Sequence, residues 1–508
     1  MPVAEAHRPQ RASGLRNALA NVLGLLIPLA VYLGATPVLV HGLGASQFGA
    51  LTLFVAAILL VSSLDLGLST GGVRALGRSL PPAEPAEFLA VATELWSALL
   101  LLGICFAALV YLTGDALFGL VGVDVHALGE FGTLALPLAI LFGFCSAAFA
   151  AIPRAMEMFV GLTVIQVLAG SLNWLGAVVL VRSGFGLEAV LLWFAAISGG
   201  ACLALAWWAN RLVGGFRMMP VVHFPALRHS FSFSLHAFLG QAASMGIYHA
   251  DKFLVAHFLG AAAAGYYGLA SSLAFRFLTL VAALSGFVFP RAVRLAESGD
   301  TTGLRETYLR ASRYVLLISW PLLVVALSLG IVFLRFWVGD EVAEAVGPVL
   351  QVLLVAYFVA ALSVVASQIF NGLGNARIGA LFSVLGGAVN LVACLLLLPH
   401  WGVQGAALAS LLSMLQVFGY TAALHRNLSL ATWPFAGLWL RIFVASLVPL
   451  ALLWPGARWV DSWLGLFGLG FAGWLGFYVA WFCLRFADAG DRAMLLRVGG
   501  FISRDLRS

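Results

Sequence analysis

Five ionisable side chains interrupt long apolar stretches: Asp65, Glu94, Asp251, Lys252 and Arg276. A charged group at the centre of a membrane-spanning helix costs about 2.5–3.5 kcal/mol on insertion scales, so such groups face a partner or a wet cavity. Arg276 is the deepest, about 18 Å from the outer end of its stretch at 1.5 Å per residue, too far in to snorkel easily. A guanidinium offers a planar fork to oxyanions, so Arg276 reads either as an anion-docking group in a water-filled cavity or as part of a structural ion pair or helix–helix bond. Asp251 and Lys252 lie about 10 Å below the outer end of the preceding stretch. Adjacent helical positions point about 100° apart, so these two are not expected to pair. Asp251 has three open readings: a partner for Arg276, a proton site or a sodium site. Lys252 either faces the cavity or snorkels outward. Asp65 lies about 27 Å down its stretch, at the inner face, where Glu94 enters the next one and Arg74 and Arg78 are close in sequence. That group reads as a gating ion-pair cluster or as a static pair anchoring a hairpin.

The elements that position these residues are transmembrane helices. Of 508 residues, 62% are apolar and 9% charged, whereas soluble domains run at about 45–50% and about 25%. Apolar runs of about 20 residues span a bilayer. Fourteen such runs are expected, at 15–40, 47–70, 88–112, 130–151, 157–181, 188–210, 231–258, 264–289, 311–335, 346–370, 377–399, 403–424, 437–456 and 463–485. With the N-terminus inside, 22 of the 27 Lys and Arg residues fall in inner segments and three in outer ones, the bias that marks a cytoplasmic face. Both termini are therefore expected inside. The longest weakly apolar breaks are at about 211–230 and 290–310.

The first of these breaks divides six helices from eight, and the sequence repeats across it. At an offset of 216, His41, Leu43, Gly44, Ala45 and Gly49 match His257, Leu259, Gly260, Ala261 and Gly265. Gly186 and Gly402 share the offset, and Asn173 and Asn390 lie 217 apart. Six helices per copy make the repeat parallel, related by an axis along the membrane normal. The expected fold is an all-α polytopic membrane protein of about 14 helices, with two six-helix lobes around a central cavity plus two additional C-terminal helices. The expected segments are a cytoplasmic tail 1–14, lobes 15–210 and 231–424 joined by a linker 211–230, accessory spans within 437–485 and a cytoplasmic tail 486–508. Two parallel lobes with a cleft form the architecture of a rocking transporter.

Much chemistry is excluded. There is no GxxxxGK[ST] phosphate loop, and no HExxH, GxSxG or Cys/His ligand set, so neither an ATP site, an enzyme, a cofactor nor a metal is expected. The five cysteines fall inside apolar runs as small packing residues. No clustered basic face fits a nucleic acid. A membrane glycan polymerase, ligase or glycosyltransferase usually carries a large outer loop. The longest here is about 113–129, with Asp115 and Asp124 but no Lys or Arg.

Four stretches resemble bacterial oligosaccharide flippases of the multidrug/oligosaccharidyl-lipid/polysaccharide exporter superfamily. They are LGASQFGALTLFVAAILLVSSLDLGLSTGGVRALG, HADKFLVAHFLGAAAAGYYGLA, FVFPRAVRLAESGD and FNGLGNARIGALFSVLGGAVNLVACLLLLPHWGVQGAALAS, within about 15–425. The resemblance implies that an undecaprenyl-pyrophosphate-linked oligosaccharide, an O-antigen or other polysaccharide repeat unit, moves from the inner to the outer leaflet of the cytoplasmic membrane. It implies a cationic cavity in which Arg276 and Lys252 meet the pyrophosphate. Asp65, Glu94, Asp251 and Arg74 are the ion-coupling or gating candidates. H⁺ or Na⁺ and the membrane potential are the candidate driving forces, and a polysaccharide polymerase and chain-length proteins the candidate partners. A lipid II flippase and a multidrug exporter are alternatives from the same superfamily. The exporter would need a more acidic cavity than Arg276 offers.

Overall fold

The computed structural model describes residues 14–79, 85–120, 132–214, 220–221, 238, 242, 245–246, 248–431 and 435–487. The described residues form α-helices with no strand. In chain order these are α1 (Gly14–Ser62), α2 (Leu68–Arg78), α3 (Pro85–Leu120), α4 (Gly132–Ala155), α5 (Phe159–Arg182), α6 (Leu187–Val213), α7 (Asp251–Leu259) and α8 (Ala261–Leu284). They continue with α9 (Val288–Glu297), α10 (Thr301–Val338), α11 (Asp340–Ala361), α12 (Val364–Gly372), α13 (Ala376–Met414), α14 (Gln416–Asn427), α15 (Ala436–Gly456) and α16 (Trp463–Cys483).

Eleven runs among the described residues are long and apolar enough to cross a membrane. Two of them each hold two spans, because α1 turns sharply at Gly44 and α13 at Gly402. Thirteen of the fourteen expected spans are thus present among the described residues; of the seventh, expected at 231–258, most of the first part lies outside the described residues and the end is helical from Asp251 to Leu259. Three boundaries differ from expectation. The second span breaks after Ser62 and resumes as α2 to Arg78. The 113–129 segment is helical as far as Leu120, because nothing before that point stops an apolar helix, and the remainder lies outside the described residues. The 290–310 segment is largely helical. Asp300 caps the start of α10, its carboxylate accepting from the Gly303 N–H at 2.8 Å, so the helix begins ten residues before its apolar run. Most of the 211–230 linker and of both terminal tails lies outside the described residues.

The chain forms two compact units. The first comprises residues 1–269 and 376–413: α1 to α7, the start of α8, and α13. Here the repeat is visible in the backbone. Gly44 (φ 75°, ψ 167°) and Gly260 (φ 86°, ψ 169°) take the same left-handed-side conformation, open only to glycine at low cost, and each reverses the chain between two spans. The next matched pair touches. A Cβ on Gly49 would overlap the Ala261 carbonyl oxygen, and one on Gly265 would lie 2.9 Å from the Gly49 Cα. Equivalent points of the two copies therefore meet main chain to main chain.

The second unit comprises residues 270–375 and 414–508. Its core joins the accessory spans to α10: Val324 and Leu329 pack with Leu453 of α15 and Leu466 of α16. Trp320 Nε1 donates to Ser446 Oγ at 2.7 Å, and Tyr478 OH to the Leu317 carbonyl at 3.2 Å. These polar ties fix the register of helices that are otherwise apolar all round, where lipid gives no hydrophobic drive to associate.

Candidate functional site

Asp251 opens α7 and is 1% exposed. Its Oδ1 accepts from the backbone N–H of Lys252 at 2.8 Å, and its Oδ2 takes a short hydrogen bond from Tyr267 OH of α8 and a longer one, 3.4 Å, from Ser410 Oγ of α13. Tyr267 OH and Ser410 Oγ are 3.1 Å apart, and Asn390 Nδ2 donates to Ser410 Oγ at 3.4 Å. Two side chains, from α8 and α13, thus close on one carboxylate, with Asn390 of α13 behind them, and all are buried.

Lys252 belongs to the same knot. It is 4% exposed, and its ammonium donates to the Tyr248 carbonyl at 2.7 Å and lies 3.9 Å from Asp251 Oδ1. The expectation that the adjacent pair stays apart is overturned. The Cβ directions diverge, but the four-carbon lysine stem folds back one turn and returns the charge to its neighbour. A buried ion pair of this kind offsets two desolvation costs without adding much net stability, and loss of one partner is severe. Lys252 neither snorkels nor is exposed to an anion in this conformation; its ammonium is committed to protein partners.

Asp65 sits where the second span breaks. Its Oδ1 accepts from the Gly67 N–H at 2.9 Å and its Oδ2 from the Ser69 N–H at 3.1 Å, which caps the restart of the helix as α2. Leu66 (φ 55°) and Gly67 (φ 72°) are both left-handed, so the break holds a conformation that costs a leucine about 1–2 kcal/mol. The charge of Asp65 acts on Arg154 of α4, a helix that packs against α2. Arg74 is exposed on α2, and Glu94 is buried on α3, which also packs against α2. The break and its cap were not expected from the apolar run.

Arg276 lies on α8 in the second unit, half-buried. Leu273 and Phe277, on either side of it, line an apolar cavity of about 660 Å³. The opposite walls come from α10, α11 and α16, including Leu329, Phe333, Leu354, Phe467 and Trp474. Arg276 itself is not among the residues that line this cavity, whose walls are apolar throughout. Among the described residues no group of three His, Cys, Asp or Glu side chains is set to hold a metal ion.

The fold is that of a helical polytopic membrane protein, and the comparisons narrow the class. Residues 43–347 match the model of a family described as "Polysaccharide biosynthesis protein". The chain is 22% identical over 411 residues to a Shigella flexneri protein named "Putative O-antigen transporter", covering 78% of this chain and 93% of that one. Among solved structures, the lipid II flippase MurJ in an inward closed conformation aligns with a TM-score of 0.73 at 15% identity, over 92% of this chain and 98% of that chain. An inward-facing multidrug resistance MATE family transporter aligns with a TM-score of 0.64 at 15% identity, over 80% and 98%. The chain belongs to the polysaccharide biosynthesis protein family and is a multi-pass membrane transporter of the polysaccharide-flippase type within the multidrug/oligosaccharidyl-lipid/polysaccharide exporter superfamily.

Proposed function

We propose that the protein carries an undecaprenyl-pyrophosphate-linked oligosaccharide, an O-antigen or other surface-polysaccharide repeat unit, from the inner to the outer leaflet of a bacterial cytoplasmic membrane by alternating access of its two six-helix lobes. The observation that carries this reading is the apolar cavity lined by Leu273 and Phe277, on the same helix that carries Arg276. A polyprenyl pyrophosphate has the two matching parts: a long hydrocarbon for the hollow and oxyanions for the guanidinium fork. The name of the Shigella relative supports the same substrate class. The bias of 22 inner to three outer cations supports cytoplasmic N- and C-termini.

Lys252 moves from phosphate contact to a different role in this proposal. With Asp251 it forms a neutral buried pair that opens during the cycle, while Asp65, Glu94, Arg74 and Arg154 work at the break in the second span. The membrane potential supplies direction. Each negative charge moved outward gains about 2.3 kcal/mol per 100 mV. A proton or sodium ion at Asp251 is the remaining coupling candidate.

The test is surface glycan display in a strain complemented with variants. Arg276→Ala abolishes display while the protein inserts normally, and Arg276→Lys, which keeps the charge but loses the fork, restores part of it. Normal display with Arg276→Ala removes this residue from the substrate path and with it the reading of the cavity.

A further inference from the structure

A second cavity, of about 150 Å³, lies in the second unit among α10, α14 and α15. Its walls are mainly apolar and aromatic, with Val315, Leu316, Phe418, Phe435 and Trp439 prominent. Along one edge Tyr308 OH and His425 Nε2 are hydrogen-bonded at 2.8 Å, and the Tyr308 ring meets Phe435 edge-on at 6.0 Å. Pockets for whole small molecules run to about 300–1,000 Å³, so this slot suits a single slender chain and not a sugar headgroup.

Arg305 shares the α10 stripe that faces the slot. It precedes Ser312 of the lining by seven residues, two turns less about 20°, and stands one turn beyond Tyr308. Its Nε is buried and makes no hydrogen bond to any described residue, which is a costly state for a charged donor. The nearest acid in the helix, Glu306, is already paired with Arg310 at 3.2 Å. Arg313 follows on α10, Arg426 lies in the last turn of α14 and Arg441 in the second turn of α15.

We propose that this slot binds an anionic phospholipid of the adjoining leaflet, with one acyl chain among α10, α14 and α15 and the phosphate on Arg305. The apolar walls select a lipid over a free anion. The arginine excess selects an anionic head over a zwitterionic one, as basic pockets between transmembrane helices do at the cytoplasmic side. The site is separate from the larger cavity and independent of what the protein transports.

The test uses the full chain in nanodiscs of phosphatidylcholine with increasing phosphatidylglycerol, either lipid carrying brominated acyl chains. Quenching of Trp439 is read as the difference between the parent and Trp439→Phe. Brominated phosphatidylglycerol should quench at a lower mole fraction than brominated phosphatidylcholine. Arg305→Gln should reduce that preference about fivefold, one guanidinium's worth near a membrane surface, and Arg305→Lys should retain it. Ala422→Phe, which fills the slot, should remove quenching by both lipids. Equal quenching by the two lipids in the parent, or an unchanged preference in Arg305→Gln, overturns the proposal. Displacement of brominated phosphatidylglycerol by an equal fraction of undecaprenyl phosphate also overturns it, by giving the slot to the transported lipid. Should Arg305→Gln fail to fold, the lipid comparison in the parent and the Ala422→Phe variant still decide.

Discussion

The two copies of the repeat keep one scaffold and fill it with opposite chemistry. Position for position at the offset of 216, Asp251, Lys252, Tyr267 and Ser410 correspond to Ala35, Thr36, Leu51 and Phe194, and Asn390, the match of Asn173, falls opposite the next residue, Trp174. In the second copy these residues make a hydrogen-bonded ionic knot. In the first they make a dry aromatic core: Trp174 meets Tyr32 edge-on at 5.0 Å and Phe194 at 5.5 Å. One detail survives in both. Tyr32 and Tyr248 are equivalent, and each lends its carbonyl, at 2.7 Å, to the side chain four residues on, Thr36 Oγ1 in one copy and Lys252 Nζ in the other. Packing alone would have been served by two dry cores. Both copies bury charge, Glu94 in the first and Asp251 with Lys252 in the second, but at these matched positions the first copy carries none.

That contrast can be attacked by swapping residues between copies. Asp251→Ala alone strands the buried Lys252 ammonium and should cost about 3–5 kcal/mol, read as a large fall in Tm of the detergent-purified protein. The double variant Asp251→Ala with Lys252→Thr installs the residues of the first copy and should regain most of that stability while surface glycan display stays lost. A double variant as unstable as the single would show that the two charges are not one energetic unit, and full display would show that the pair is dispensable for transport. Gly265→Ala should cost about 1–3 kcal/mol, because a methyl group there meets the Gly49 backbone. Tyr267→Phe removes a donor to a buried carboxylate and should cost about 1.5–3 kcal/mol. Thr36→Val, at the position in the first copy that matches Lys252, breaks a neutral hydrogen bond and should cost about 0.5–1.5 kcal/mol. If Tyr267→Phe proves no costlier than Thr36→Val, the ionic knot is not stronger than the neutral one.

The fold was legible because lipid imposes a coarse code. Runs of apolar residues, the arginine bias and the glycines at 44, 49, 260 and 265 each mark a feature that few alternatives satisfy. Asp251 and Lys252 were visible as charges where charge is expensive. Tyr267 and Ser410 were not, since hydroxyls are common in these spans and nothing local singles out the two that converge. The contact between Asp251 and Lys252 was missed because backbone geometry sets where a side chain starts, not where a flexible lysine ends. The cavity lined by Leu273 and Phe277 left no trace at all. Its lining residues are the same types that face lipid, and only their convergence from α8, α10, α11 and α16 separates one from the other.

The meeting of Gly49 with Gly265 has a consequence for ancestry. Where side chains form a contact, a change on one partner can be repaired by a change on the other, and duplicated halves are free to drift apart. Here main chain abuts main chain, and no compensating substitution exists. The two halves diverged at Ala35 and Asp251, yet at this seam each copy still holds the other to the form in which they arose.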